Sequence, residues 1–322
     1  MFIPFNTWCE WFAHPHIQRT EEIPANTSRG VTIFKYLLPF TSLTWLLLPW
    51  ALWRIRFFKQ ESHLSNLQKS LKPAFIVGMI IFIGLILRLI RLGESLWYDE
   101  ISAMLSFSIH GPGPAFGNYY ALSNHVLHSA LTSISLDLAG GVNEYTIRFT
   151  ALVFGVAVIP ITYLLGKECV NIRFGILTAL IMAVMPVAIL ESVEARGYSM
   201  MLFFAVTASL LLIRIEFAYR FHQIFLYASV ITLGIWSHLA FVCIPLGHGF
   251  IAIWMLTNVK SRSAGIRVGA GLILAALTTA TVLSPLLPDF LQLRGEFSAG
   301  DGDEPTLFGI EGLHAFMQLG GS

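Results

Sequence analysis

Ten side chains of this 322-residue chain fall at boundaries between apolar runs and offer chemistry there: Asp99 and Glu100; Asn124, His125 and His128; Glu191, Glu194, Arg196 and Tyr198; and His238. The adjacent carboxylates of Trp97-Tyr98-Asp99-Glu100 suit a general base with an orienting partner, or a cation site. They also suit a plain acidic helix end anchored by an interfacial tryptophan. Asn124 is placed to cap a helix, with His125 and His128 at i, i+3 on one face of it. Histidine there could bind phosphate, a metal or a substrate hydroxyl, or be a satisfied polar residue on an interfacial helix. Glu191, Glu194 and Tyr198 share a helical face if the helix runs through, which Gly197 opposes. Arg196 is permanently charged and shaped for bidentate phosphate binding, with a weak surface Glu–Arg pair as the bland alternative. His238 could coordinate a metal, pair with a carboxylate, or bridge two helices.

The elements that must position these residues are apolar. The chain is 55% hydrophobic and only 12% charged, against about 25% charged in soluble domains. Continuous apolar runs of spanning length recur, so the fold class is an all-α polytopic membrane protein; a β-barrel would alternate apolar and polar residues. The spacing predicts spans at Val31–Trp53, Ala74–Ile90, Tyr145–Leu165, Ile172–Leu190, Tyr198–Ile213, Ile224–Trp236, Leu239–Leu256 and Val268–Leu287. Between the second and third lies a long polar-aromatic segment. Within it Asn124–Leu138 reads as a helix lying along the membrane surface. His248 sits deeper within its span, where a structural role is expected.

Three divisions follow. Residues 1–73 hold one candidate extra span and a basic linker, 74–287 form the transmembrane core, and 288–322 form a polar tail. Twelve Lys and Arg fall on one side, among them Arg54, Arg56, Lys59, Lys69 and Lys72. Five fall on the other: Arg88, Arg91, Arg148, Arg196 and Arg294. By the positive-inside rule the first side is cytoplasmic, so the ten candidate residues face outward. The amino terminus is then outside if Val31–Trp53 crosses, and cytoplasmic if that run only dips into the membrane. Met1–Gly30 lacks the charged and apolar regions of a cleavable signal. Net charge is +1 with no basic tail, which predicts no nucleic-acid partner. Cys9, Cys169 and Cys243 have no metal spacing and read as small apolar residues.

Taken together, the motifs resemble the integral-membrane glycosyltransferases of the GT-C fold, in particular the bacterial branch of glycosyltransferase family 39, the protein-mannosyltransferase-like enzymes. The resemblance rests on Trp97-Tyr98-Asp99-Glu100, Asn124-His125-Val126-Leu127, Arg148-Phe149-Thr150-Ala151-Leu152-Val153-Phe154-Gly155, Glu194-Ala195-Arg196-Gly197-Tyr198 and Ser237-His238-Leu239-Ala240. They occur in the family's order from about Leu87 to Gly247, although no Gln precedes Glu194 in the usual place. The resemblance implies a GT-C-like helix bundle with a long first outer loop carrying an interfacial helix. It implies a polyprenyl-phosphate-linked sugar donor and inverting transfer to a hydroxyl of a protein, lipid or glycan acceptor. The site would lie at the outer face of the cytoplasmic membrane. Asp99 matches the acceptor-activating carboxylate with Glu100 beside it; Asn124, His125, Glu194, Arg196, Tyr198 and His238 match substrate-binding positions. Some relatives hold a divalent metal, for which Glu100, His125 and His238 could supply ligands. Further spans are expected beyond Leu287, so 288–322 reads as the start of a truncated carboxy-terminal part. Two other readings stay open: a transporter or lipid-handling membrane protein, and an inactive fragment.

Overall fold

The computed structural model describes residues 4–13, 25–54, 71–119, 123–217 and 222–292. The linker residues Arg56, Lys59 and Lys69 and the tail from Arg294 onward lie outside them. All regular structure among the described residues is helical. In chain order the helices are α1 (Phe5–Phe12), α2 (Ala25–Arg54), α3 (Leu71–Leu89), α4 (Tyr98–Ser106), α5 (Pro112–Gly117), α6 (Val126–Ala139), α7 (Glu144–Cys169), α8 (Ile172–Val184), α9 (Pro186–Leu190), α10 (Tyr198–Phe217), α11 (His222–Ser237), α12 (Cys243–Thr257) and α13 (Arg262–Leu283). Among the described residues five stretches are long and apolar enough to cross a membrane: Ala25–Leu48, Glu144–Cys169, Tyr198–Phe217, Leu239–Thr257 and Arg262–Leu283. This is the make-up of an integral membrane protein. The other three expected spans, α3, α8 and α11, pack into the same bundle but fall outside that group.

The expected span Ile172–Leu190 is broken. α8 has 13 residues, a rise of only ~20 Å, and α9 begins at Pro186. Proline supplies no N–H and forces the residue before it out of the helical region; Met185 is extended at φ −62°, ψ 119°. The carbonyls left without helical donors are taken by Arg88 of α3. Its guanidinium donates to Ala183 O at 3.1 Å and Met182 O at 3.4 Å, besides Gly84 O at 2.9 Å and Ser192 Oγ at 3.1 Å. Arg88 is fully buried, so it belongs to the interior and not to a polar boundary.

α2 is a continuous helix despite Pro39 and Pro49, and it lies against α13. Thr41 Oγ1 meets Thr281 Oγ1 at 2.5 Å, Trp45 Nε1 donates to Thr278 Oγ1 at 2.9 Å, and Asn26 Nδ2 donates to Gln292 Oε1 at 2.7 Å. The start of α2 therefore sits beside the end of α13, at the same end of the bundle as α4. α1 lies there too, packed on α5. The main core joins α10, α11 and α13, with Phe204, Tyr227, Ile231 and Val268 at its centre. His248 is buried in it, its Nδ1 2.8 Å from Tyr227 Oη, the structural role expected of it. Large apolar side chains such as Phe75, Phe82, Phe250 and Trp254 point out of the bundle, as lipid-facing residues should.

Candidate functional site

Glu100 is the residue that arranges this end of the bundle. It stands in the first turn of α4, is 1% exposed, and each of its carboxylate oxygens accepts from two donors. Oε1 accepts from Arg148 Nε at 2.9 Å and Ala195 N at 2.6 Å. Oε2 accepts from an Arg148 terminal nitrogen at 2.7 Å and Trp97 N at 2.8 Å. Arg148, likewise buried on α7, spends its remaining donors on the carbonyls of Leu92 at 3.0 Å, Glu94 at 2.6 Å and Ser95 at 3.2 Å. Burial pushes the Glu100 carboxyl upward, but the hydrogen bonds from Arg148, Trp97 and Ala195 outweigh it and the net direction is down. A buried carboxylate is tolerable when paired and saturated in this way.

This corrects one expectation. Glu100 has no lone pair facing outward and is a positioning residue, not a catalytic one. It ties the turn before α4 to the 191–197 loop, and so sets Asp99 against Arg196. Asp99 is 54% exposed, with Oδ2 3.3 Å from a terminal nitrogen of Arg196, itself 30% exposed. A pair this open contributes ~1 kcal/mol or less to stability, so the contact matters for the chemistry it presents. The Arg196 guanidinium also lies over the Tyr198 ring, 4.9 Å from its centroid, a cation–π arrangement.

Tyr198 leads into a cluster of rings. Its centroid is 4.7 Å from that of His238 and 5.5 Å from that of His125; the two imidazoles are stacked at 4.9 Å and 24°. His238 Nδ1 accepts the Ala240 N–H at 3.1 Å, so the neutral ring carries its proton on Nε2. Burial, then His238, holds His125 well below the usual imidazole range; burial, then Arg196, lowers His238. Close approach is allowed by Gly197, where a Cβ would collide with Ser237 O and come within 3.1 Å of His125 Cβ.

Several expectations are redrawn here. Residues 191–197 are turn and bend, and α10 starts only at Tyr198, so Glu191, Glu194 and Tyr198 do not share a helical face. Glu191 and Glu194 are half-buried carboxyls raised first by burial, and Glu191 Oε2 has no hydrogen-bond partner. Asn124 does not cap α6. Its amide donates to Ala115 O at 3.2 Å and Asn118 O at 2.9 Å, and His125 holds the capping position without a side-chain bond. His128 is buried against α7 near Thr132, its imidazole lowered to about 4 by burial. It takes no part in the ring cluster, because it lies on the face of α6 that packs into the bundle. Glu100, His125 and His238 do not fit a metal: both Glu100 oxygens are occupied, and no group of three His, Cys, Asp or Glu among the described residues could hold an ion. Arg148 and Arg88 were not among the candidates; an arginine inside an apolar run was the available signal.

Beside the rings lies an apolar cavity of about 550 Å³, lined by Val126, Ile235, Trp236, Leu239, Leu283 and Phe290 among others, with His125 and His238 in its wall. Among the described residues that line it there is no carboxylate, lysine or arginine. From cavity to solvent the order is therefore apolar chamber, stacked imidazoles, Tyr198, Arg196, Asp99. No protein-family model matches the chain, and no curated protein matches it in sequence. The fold and the site thus define a class, an all-helical membrane protein with a polar cluster at one end of the bundle, and reach no further.

Proposed function

We propose that the chain is a GT-C-type membrane glycosyltransferase. It moves a sugar from a polyprenyl-phosphate donor to an acceptor hydroxyl, at the outer face of the cytoplasmic membrane. The observation that carries the reading is the graded site: an exposed carboxylate and a guanidinium 3.3 Å apart, joined through aromatic rings to an uncharged cavity. An amphiphilic phosphodiester matches that order, with its chain toward the cavity, its phosphate at Arg196 and its sugar toward Asp99.

In the transfer, Asp99 takes the proton of the acceptor hydroxyl as that oxygen attacks the anomeric carbon from the side opposite the phosphate. The bond from the anomeric carbon to the phosphate oxygen breaks, its electron pair leaves with the lipid phosphate, and the configuration inverts. Arg196 and the Nε2–H of His238 meet the charge that gathers on the leaving oxygen. Glu100 and Arg148 keep the two halves in register. The outward direction of the site is supported by the basic side chains at the other end of the bundle, such as Lys167, Arg173 and Lys260. It is supported further because Arg88 and Arg148 are interior groups, which leaves few other basic residues at the site end among the described residues.

The test is reconstitution with radiolabelled polyprenyl-phosphate sugars, comparing wild type with Asp99→Asn. Transfer by the wild type and a loss of at least a hundredfold in the variant are expected. Equal transfer by both proteins removes Asp99 as the base, and no transfer with any donor removes the reading.

A further inference from the structure

The apolar cavity has one wall unlike the others. Leu286, Leu287 and Phe290 close it from the turn after α13 and from the short helical segment 287–292. The opposite side of that segment, with Pro288, Leu291 and Gln292, lines a second cavity of about 490 Å³ together with Asn26, Arg29 and Ile33 of α2. Leu287 borders both. A turn and a half of helix is therefore the partition between an apolar chamber and a more polar one that contains an arginine.

That partition is buried at its root, where Pro285 lies against Gly30 of α2 and Leu286 packs with Tyr119 and Val126, and it is short beyond it. A six-residue helix has no stability of its own. Pro285 and Pro288 each remove a backbone donor at its root, where Leu286 N bonds Leu283 O at 3.0 Å and Leu287 N bonds Ser284 O at 3.3 Å. Among the described residues its outer attachments include three hydrogen bonds and a ring contact. Asp289 Oδ2 accepts from Tyr119 N at 3.0 Å, Asn26 Nδ2 donates to Gln292 Oε1 at 2.7 Å and Asn26 also bonds the Asp289 carboxylate, and the Phe290 ring lies 5.7 Å from that of Tyr119. These hydrogen bonds to the half-buried Asp289 come from neutral groups. The segment has open volume on both sides, a proline-marked root and a polar latch at its outer face.

We propose that 284–292 is a gate between the two chambers, latched by Asp289 onto the Tyr119 N–H, and that it admits a single aliphatic chain to the apolar chamber. The chain is the ligand class because the chamber presents Val126, Ile235, Leu239, Leu283, Leu286 and Leu287 and, among the described residues, no carboxylate, lysine or arginine, within the volume range of small-molecule sites. The gate stands whether or not Asp99 transfers a sugar.

The test uses the full chain in nanodiscs with Cys9, Cys169 and Cys243 replaced by serine, and an alkyl chain carrying an environment-sensitive fluorophore as probe. Asn26→Cys with Gln292→Cys should form a disulfide across the latch. Probe release should then be at least about tenfold slower oxidised than reduced. Asp289→Ala, which needs no cross-link, should release the probe roughly tenfold faster than its parent, the scale of one hydrogen bond to a charged acceptor. Val126→Trp, which fills the chamber, should abolish probe binding. Equal release rates in the oxidised, reduced and Asp289→Ala proteins overturn the gate; probe binding that survives Val126→Trp overturns the chamber as its site. Asp99→Asn should leave all these rates unchanged, so failure of the transfer chemistry and failure of the gate are read separately.

Discussion

Replacing Arg148 by methionine should unfasten the site without touching a residue that meets substrate. The guanidinium makes five hydrogen bonds, two to Glu100 and three to the carbonyls of Leu92, Glu94 and Ser95. Methionine fills much of the volume and makes none of them. A carboxylate that is 1% exposed would keep only the N–H groups of Trp97 and Ala195. Removing one partner of a buried pair costs about 3–5 kcal/mol. Glu100→Gln should be nearly as harmful, for a geometric reason. Each oxygen of Glu100 accepts from two donors, so the glutamine NH₂ faces two donors whichever way the amide is turned. Leucine at 100 with methionine at 148 removes both charges, and that double variant should cost less than the two single losses added together. The assay is reversible unfolding in mixed micelles, with hydrogen exchange at the Trp97 and Ala195 amides reporting locally. Arg148→Met within about 1 kcal/mol of wild type, or strictly additive single and double changes, would refute the pairing as the support of Asp99 and Arg196. Acid supplies an independent check. The folded-state pKa of Glu100 lies below its unfolded value, so its contribution is present above the ordinary carboxylate pKa. It is lost as pH falls through the lowered one, where the unfolded state binds more protons.

Arg196→Lys keeps the charge but loses the planar fork, and should cut transfer about tenfold or more while leaving unfolding within ~0.5 kcal/mol of wild type. The imidazoles of His125 and His238 are both depressed. The unfolded chain therefore takes protons near pH 6.5 that the folded one refuses, and stability measured by thermal unfolding should fall as pH drops below about 6.5. In a His125→Phe, His238→Phe double variant that slope should flatten. Gly197→Ala sets a methyl against Ser237 O and should destabilise by about 1–3 kcal/mol, read as a lower melting temperature. Arg88→Met should cost at least about 2 kcal/mol, because the carbonyls exposed by the break at Pro186 lose their donors.

The helical, membrane-embedded character was legible because apolar runs of spanning length admit few other folds. Asp99, His125, Arg196, Tyr198 and His238 were legible as well, being polar residues where apolar runs end, and the structure brings them to one end of the bundle. Partner choice was not legible. Nothing in Asp99-Glu100 says which carboxylate turns outward; that is decided by Arg148, 48 positions on from Glu100. Asn124 has a capping residue's identity and an interior residue's bonds, because α5 and the residue that ends it offer carbonyls at Ala115 and Asn118. The i, i+3, i+7 pattern at Glu191, Glu194 and Tyr198 was a coincidence of spacing, since tertiary contacts hold that stretch as a loop. The cavity is assembled from residues more than a hundred positions apart, which no local pattern encodes.

Two of the three fully buried arginines, Arg88 and Arg148, explain why a loop can occupy this place at all. The 191–197 stretch carries Arg196 and departs from helical geometry at the edge of an apolar bundle, where unsatisfied backbone groups are costly. Arg88 answers the carbonyls at its approach, binding Met182 and Ala183 before the proline and Ser192 after it. Arg148, through Glu100, answers the N–H of Ala195 within it and the carbonyls of the turn that leads to Asp99. Both act from the helices on which they sit, α3 and α7, and these also pack on α8. The irregular backbone is thereby built into the bundle instead of hanging from it. Asp99 and Arg196 can then stay exposed, because the work of holding them is done by charges that are not.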